Sequence, residues 1–129
     1  MGRKNIIYTY KMLDGVALDT STDSTATVTT TIDHMSINIV WASAASSGHT
    51  GTVVVQGTNL DPDAADFVAG DWFDLTLSGG DITLTGATSG EHLVVFDKIP
   101  FRAIRLSYTN STHSAGTFSA IMSAKTIGA

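Results

Sequence analysis

Apolar and polar residues alternate along most of this chain, which is the pattern of half-buried β-strands. It is clearest in residues 35–41, where every second residue from Met35 to Trp41 is apolar and Ser36 and Asn38 lie between them. A helical period occurs only in residues 62–68, which are too few for a stable helix. The predicted strands are residues 25–32, 35–41, 53–57, 72–77, 82–84, 92–96, 103–108 and 117–125. The pattern therefore predicts an all-β protein, an antiparallel β-sandwich of jelly-roll type with eight to ten short strands.

The N-terminal segment differs from the other strands because apolar side chains occupy both of its faces. A sandwich covers only one face of a strand, so we expect an extended N-terminal arm that packs against a neighbouring molecule. We therefore divide the chain into an arm or strand at residues 1–14 and a single β-sandwich domain at residues 15–129. The expected contact residues of the arm are Ile6, Ile7, Tyr8, Tyr10 and Met12.

Composition supports the β-sandwich and limits the chemistry. Thr and Ser supply 32 of the 129 residues, Glu occurs once, at Glu91, and Cys is absent. Threonine favours strands over helices, and a chain without cysteine has no disulfide, thiol nucleophile or thiolate metal site. The hydroxyl residues concentrate at 20–31, 43–52 and 107–119, where they form an uncharged coat on loops and outward faces.

The net charge of −5 argues against nucleic acid as a partner. Three basic residues lie within residues 1–14, and the acidic remainder lacks the Lys and Arg clusters that bind phosphate. No apolar run approaches the roughly 18 residues of a membrane helix, and no apolar signal-peptide segment follows the basic start. We therefore expect neither a nucleic-acid partner nor a membrane partner.

The chain shows no recognisable catalytic constellation. Glycosidic cleavage needs two carboxylates in different environments, and the candidates are Asp71 and Asp74 beside Trp72, or Glu91. Asp71 and Asp74 flank the start of a strand and serve better to delimit it. Gly-x-Ser-x-Gly and Gly-x-x-x-x-Gly-Lys motifs are missing from the sequence, so neither a nucleophile elbow nor a phosphate loop is predicted. We expect a non-enzymatic protein without a cofactor.

One loop carries oxygen ligands that a hard cation could use. The weak calcium candidates are Asn59, Asp61, Asp63 and Asp66. An EF-hand is excluded, because Ala64 and Gly70 occupy the positions where that motif needs Gly and Glu. A solvated acidic loop with side-chain-capped turns is the main interpretation, and an irregular calcium site is the alternative.

Two hairpins share a plan. Each runs from an aromatic strand end, Trp41 or Tyr108, through a small polar loop with one histidine, His49 or His113, to Gly-Thr and a new strand. We expect the two loops to lie at the same pole of the sandwich, with coincidence of turn chemistry as the alternative. The two histidines would form a transition-metal pair only if the loops meet, and exposed loop histidines are the expected state.

Exposed aromatic side chains would favour sugar binding. Trp41 shares a face with the apolar residues of its strand and is expected in the core. Trp72 lies opposite Phe73 in strand phase, so Trp72 is the candidate for exposure.

Four segments follow one another along the chain in a recognisable series. They are Val53-Val-Val-Gln-Gly-Thr-Asn59, Asp71-Trp-Phe-Asp-Leu75, Ile104-Arg-Leu-Ser-Tyr108-Thr-Asn-Ser and Gly116-Thr117. The series resembles a family of small β-sandwich virion structural proteins of tailed bacteriophages, which carry V-x-G-S-N-D, W-x-D-L and I/L-R-L-x-Y-T strands and a closing Gly-Thr hairpin. The match spans roughly residues 35–124. Thr58 replaces the usual serine, and the excursion at residues 59–70 is longer than is typical.

The resemblance implies a virion location on the capsid surface, as a capsid decoration (cement) protein or a head or tail appendage. The partners would be the major capsid protein or other virion proteins, together with further copies of the chain about a symmetry axis, a trimer being favoured. The N-terminal arm would then form the subunit or capsid contact. The alternative function is a host-surface or glycan-binding appendage, as in a head or tail fibre, with Trp72 exposed.

Overall fold

A computed structural model of the chain describes residues 5–29, 32, 34–42, 49–75, 82–85, 89–96 and 101–127. These residues form ten strands and one 3₁₀ helix (Ala69–Asp71). The strands are β1 (Asn5–Ala17), β2 (Thr22–Asp23), β3 (Thr27–Val28), β4 (His34–Ala42), β5 (Thr50–Thr58), β6 (Phe73–Asp74), β7 (Ile82–Thr85), β8 (Gly90–Phe96), β9 (Ala103–Asn110) and β10 (Thr117–Ile127). The described residues include no helix long and apolar enough to cross a membrane.

The strands form two antiparallel sheets around one core. The first sheet has the order β1-β10-β4-β8, and the second has the order β2-β9-β5-β6, with β3 also paired to β9 and β7 also paired to β5. The pairing is nested, because β1 pairs with β10, β3 with β9, β4 with β8 and β5 with β7. One long hairpin rolled around a core has this nesting, which is the jelly-roll topology. The predicted sandwich of jelly-roll type is confirmed.

The strongly alternating segments became strands with bounds close to those predicted, whereas the polar segments formed shorter ones. The segment at residues 25–32 contributes only β3 to the edge of the second sheet. Ser24 separates β2 from β3 but keeps both close to β9, since its N–H donates to the Leu106 carbonyl and its Oγ accepts the Leu106 N–H, each at 2.8 Å. The segment at residues 72–77 is strand only at β6, and residues 76 and 77 lie outside the described part.

Inward side chains of both sheets make the core. Tyr108 of β9 packs against Phe118 of β10 with ring centroids 4.7 Å apart. The Tyr108 hydroxyl donates to the Leu18 carbonyl at 2.7 Å, so its polar end is satisfied inside the protein. Trp41 packs partly against the core, as expected, and its Nε1 donates to the Thr85 carbonyl at 3.1 Å.

Tyr108 makes the free energy of unfolding decrease at high pH. Burial, and secondly the negative charge of Asp19, raises the pKa of Tyr108 to about 12. The unfolded phenol ionises near its usual pKa of about 10, so the stabilisation is complete below about pH 10 and is lost as the pH rises through about 12. We expect Tyr108→Phe to flatten this decline in urea unfolding and to cost about 1–2 kcal/mol at neutral pH, because the Leu18 carbonyl loses its donor. An unchanged pH profile in the variant would contradict this role for Tyr108.

Gly51 is required by close packing in the core. The Tyr108 ring lies over Gly51, and a Cβ there would come within 2.6 Å of the ring atom Cε1. We expect Gly51→Ala to destabilise the fold by about 1–3 kcal/mol in urea unfolding, because the buried ring must shift. Gly70→Ala is the matched control, since a Cβ at Gly70 meets no heavy atom within 4 Å. Equal losses in the two variants would contradict the packing argument.

Candidate functional site

The predicted contact segment is an edge strand of the first sheet. β1 pairs with β10 from Asn5, opposite Ile127, to Ala17, opposite Thr117, and so runs across the predicted boundary at residue 14. The backbones of Ile6, Ile7 and Tyr8 belong to this paired strand, while their side chains lie outside the described part of the structure. Whether these residues contact a neighbouring molecule stays a prediction.

Two irregularities in the second half of β1 direct apolar residues of both strand phases toward the core. The register with β10 shifts twice between Lys11 and Val16, and Gly15 within this stretch has a φ of 59°. An extra residue at such a bulge changes which side chains point inward. Leu13 is therefore buried, while Met12 and Val16 pack partly against the core. Met12, one of the predicted contact residues, is thus used at least partly inside the sandwich.

Tyr10 connects the two sheets at this edge. Its hydroxyl is hydrogen-bonded to Thr27 of β3, and burial raises the pKa of Tyr10 above its usual value by more than this hydrogen bond lowers it. The side chain also remains exposed enough to touch a partner. Of the predicted contact residues with described side chains, Tyr10 is therefore the one that offers surface.

Residues 59–71 fold into consecutive turns in which two of the carboxylates make internal contacts. Asp61 Oδ1 accepts the N–H of Asp63 at 3.0 Å, and Asp61 Oδ2 lies 3.6 Å from Arg102 Nη2. Asp71 Oδ2 accepts the N–H of Val68 at 3.0 Å where the 3₁₀ helix begins. Each of these contacts holds the loop in its own conformation.

The calcium candidates include no group of carboxylates that could hold a metal ion in the described structure. They are Asn59, Asp61, Asp63 and Asp66. Across the described ranges, no three His, Asp or Glu side chains are grouped in a way that could hold a metal ion. The loop geometry therefore supports side-chain-capped turns, the main interpretation of this segment.

Trp72 is buried, so the expected exposure of Trp72 is wrong. Its side chain is 9% exposed, whereas Phe73 on the opposite strand phase is 65% exposed. Phe67 meets the indole edge-on with ring centroids 5.6 Å apart, and the guanidinium carbon of Arg105 lies 4.8 Å from the indole centroid. The excursion at residues 59–71 folds back and covers Trp72 on the outer side of the second sheet. Strand phase alone carries no information about such a covering loop.

A polar network lies beside this indole on the same outer face. Arg105 Nε donates to Gln56 Oε1 at 2.8 Å, and Gln56 Nε2 donates to Asp74 Oδ1 at 2.8 Å. Arg105 Nη1 also lies 3.5 Å from Asp23. Asp71 and Asp74, the carboxylates considered for glycosidic cleavage, thus both have partners within the fold.

The two histidine loops meet at one pole of the sandwich, which confirms their expected placement. The His49 and His113 rings stack with centroids 6.3 Å apart. Thr112 joins the loops, because its Oγ1 accepts the Thr50 N–H at 2.8 Å and its carbonyl contacts His49 Nδ1. The described residues add no third ligand to this pair.

His113 is only 4% exposed, so the expectation of an exposed loop histidine is wrong for this residue. Its Nε2 donates to the Leu84 carbonyl at 2.7 Å, which ties the loop to β7, and its buried Nδ1 has no hydrogen-bond partner in the described structure. Asn110 fixes the loop by accepting the His113 N–H at 2.9 Å. The spacing of Asn110 and His113 is a sequence signal for such a side-chain-capped turn.

Comparison with known proteins gives matches in structure only. No protein-family model matches the chain, and no curated protein matches it. The SPBc2 prophage-derived protein YomS matches with a TM-score of 0.57 at 6% sequence identity, over 95% of this chain and 96% of that one. A chain in the structure of infectious bursal disease virus Gx strain matches with a TM-score of 0.55 at 14% identity, over 97% of this chain and 34% of that one. At these identities the matches show a shared fold, and the present chain corresponds to about a third of the second neighbour.

Proposed function

We propose that the chain is a non-enzymatic structural protein of a phage particle, a capsid decoration (cement) protein that binds the major capsid protein at the capsid surface. The observation that carries the proposal is the jelly-roll fold, which matches a prophage-derived protein over nearly the full length of both chains. The second neighbour comes from the structure of a virus, and jelly rolls recur in viral capsids. The virion resemblance of the sequence motifs points in the same direction.

The surface chemistry supports an outward-facing component. Thr52 of β5 lies between Thr83 of β7 and Thr109 of β9, so three hydroxyls stand side by side across the second sheet. Thr83 and Thr109 are exposed. A surface of this kind is polar without titrating, so it changes little with pH, as a permanent external component requires.

Three groups that a hydrolase could use have partners within the fold. Asp71 accepts a backbone N–H, Asp74 accepts from Gln56, and His113 donates to the Leu84 carbonyl. None of these contacts prepares a nucleophile or a pair of carboxylates for proton transfer. This arrangement supports a role in binding.

The glycan-binding alternative depended on an exposed Trp72. Jelly rolls also occur in lectins, but the burial of Trp72 under Arg105 and Phe67 removes the flat platform on which a sugar would stack. A glycan array probed with the wild-type chain tests this alternative. Saturable binding to a defined class of glycan would support the appendage function against capsid decoration.

Co-sedimentation tests the proposed function directly. Purified chain is mixed with phage particles assembled without it, and the occupancy and the temperature of DNA release are measured. We expect saturable binding at a fixed number of copies per capsid and a higher release temperature. Absence of binding by the folded chain would contradict the decoration role.

The same assay tests the N-terminal contact. Tyr10→Ala is expected to lower the occupancy of the capsid by the chain. Thr9→Ala, at the preceding residue of the strand, serves as the control. Equal occupancy of both folded variants and the wild type would argue against Tyr10 as a capsid contact.

A further inference from the structure

The two edge strands of the first sheet differ in their protection against pairing with another chain. β1 has two register shifts, a left-handed Gly15 and the exposed cation Lys11. Bulges and lysines of this kind keep a sheet edge from pairing with other strands. β8 pairs with β4 without interruption, from Gly90 opposite Trp41 to Phe96 opposite Met35.

β8 has no register shift with β4, and its one charged side chain is Glu91, near its start. Its seven residues contain neither lysine nor proline. Among the described strands its only ladder partner is β4, which leaves its other edge without a strand. An unprotected edge that is straight and apolar is a template for a further strand.

Apolar side chains extend from this edge over the outer face of the sheet. Leu93 is 60% exposed and Val95 is 62% exposed, whereas Val94 between them is buried in the core. A groove of about 230 Å³ begins at Val95 and is lined on the same face by His34, Ser36, Ser123 and Lys125. The edge therefore combines backbone groups that no described strand pairs with, exposed apolar side chains and a neighbouring groove with basic groups.

The sequence of β8 is complementary to itself. Leu93 is the middle residue of Gly90–Phe96, so antiparallel pairing about a two-fold axis places Leu93 opposite its own copy. Glu91 then lies opposite Val95 of the other copy, and no like charges stand opposite each other within the strand. Glu91, the only glutamate of the chain, then lies at the end of the other copy's β8, where His34 and Lys125 of that copy line the groove.

We propose that β8 is the self-association edge of the protein and that it pairs antiparallel with β8 of a second copy about Leu93. The first sheets of the two copies then form one continuous eight-stranded sheet. Such an isologous interface closes as a dimer, which differs from the trimer favoured by the family resemblance. The proposal rests on the edge strand alone and is independent of the virion role.

Solution mass and cysteine cross-linking test this pairing together. The chain has no native cysteine, so single-cysteine variants report one contact each. We expect a mass twice the 13.5 kDa of the chain and rapid disulfide cross-linking of Leu93→Cys, since the paired Cα atoms fall within disulfide range. Val95→Cys is the matched control, because in this register its two copies lie well beyond that range. The double variant Glu91→Cys, Val95→Cys restores cross-linking.

Charge substitutions at exposed positions test the proposed pairing without disturbing the core. Leu93→Lys places two cations opposite each other and is expected to raise the dimer dissociation constant roughly tenfold or more. Thr9→Lys, an exposed position on the β1 edge, is expected to leave it unchanged. A monomeric or trimeric mass, cross-linking of Thr9→Cys or Val95→Cys as fast as that of Leu93→Cys, or a dimer insensitive to Leu93→Lys would overturn the proposal.

Discussion

Deletion of residues 1–13 is expected to abolish the folded state, because this segment supplies most of β1. Residues 5–13 pair with β10, and the deletion removes the buried side chain of Leu13 and the partly buried Met12. It also leaves most of the β10 edge of the first sheet without its partner. Since a domain of this size is stable by only about 5–15 kcal/mol, loss of most of an edge strand with its buried side chain exceeds what the remaining core can offset.

Far-UV circular dichroism and urea unfolding of residues 14–129 measure this effect. We expect no cooperative unfolding transition in the truncated chain. Deletion of residues 1–4 alone is the control, since β1 begins at Asn5. A truncated chain that unfolds cooperatively at nearly the wild-type urea midpoint would show that the segment is an independent arm. Contact with a capsid is therefore better tested by point substitutions than by this deletion.

Phe118→Ala is expected to cost about 3–5 kcal/mol of stability, because it empties the centre of the core. Phe118 is 1% exposed and packs against Tyr108, whose hydroxyl is fixed by the Leu18 carbonyl. The neighbouring ring is thus held in place and cannot fill the cavity without losing its hydrogen bond. Urea unfolding with an unchanged m-value would report the loss as a lower midpoint.

Phe73→Ala gives a matched control for the same change of side chain. Phe73 is largely exposed on the edge strand β6, so we expect its loss to change stability by no more than about 0.5 kcal/mol. Similar losses of stability in the two variants would contradict the assignment of Phe118 to the core and of Phe73 to the surface.

The alternating segments predicted the central strands well, because burial on one side of a strand imposes a period of two. Ile37 and Ile39 of β4 are buried as their alternation indicates, and so are Leu106 and Tyr108 of β9. Short-range turn chemistry also located the two histidine loops at one pole. Both signals are local, so a single sequence contains them.

The sequence predictions failed where the chain departs from the period of two or folds back on itself. In β1, the register shifts around Leu13 direct side chains of both strand phases toward the core. The alternation rule assigns one of these two phases to an exposed apolar face. Trp72 is covered by Phe67 of the preceding loop and by Arg105 of β9, and buried His113 donates to the Leu84 carbonyl. The contacts with Arg105 and Leu84 join residues far apart in the sequence, and the period of a strand does not show that a loop folds back over it.

The candidate contact surfaces show the same division. Apolar residues at Leu93 and Val95 were visible in the sequence, but only the strand order reveals that they lie on an unprotected sheet edge. Edge position depends on the nested pairing of the whole chain. The sequence therefore indicated a strand there and could not indicate an interface.

Imaging of an intact particle is the sharpest test of the proposed decoration role. A cryo-electron microscopy reconstruction of the particle made by the genome that encodes this chain would locate the protein. We expect jelly-roll density with this strand order on the outer surface of the capsid, in contact with the major capsid protein. A particle that lacks the chain, or holds it only away from the capsid surface, would contradict the decoration role.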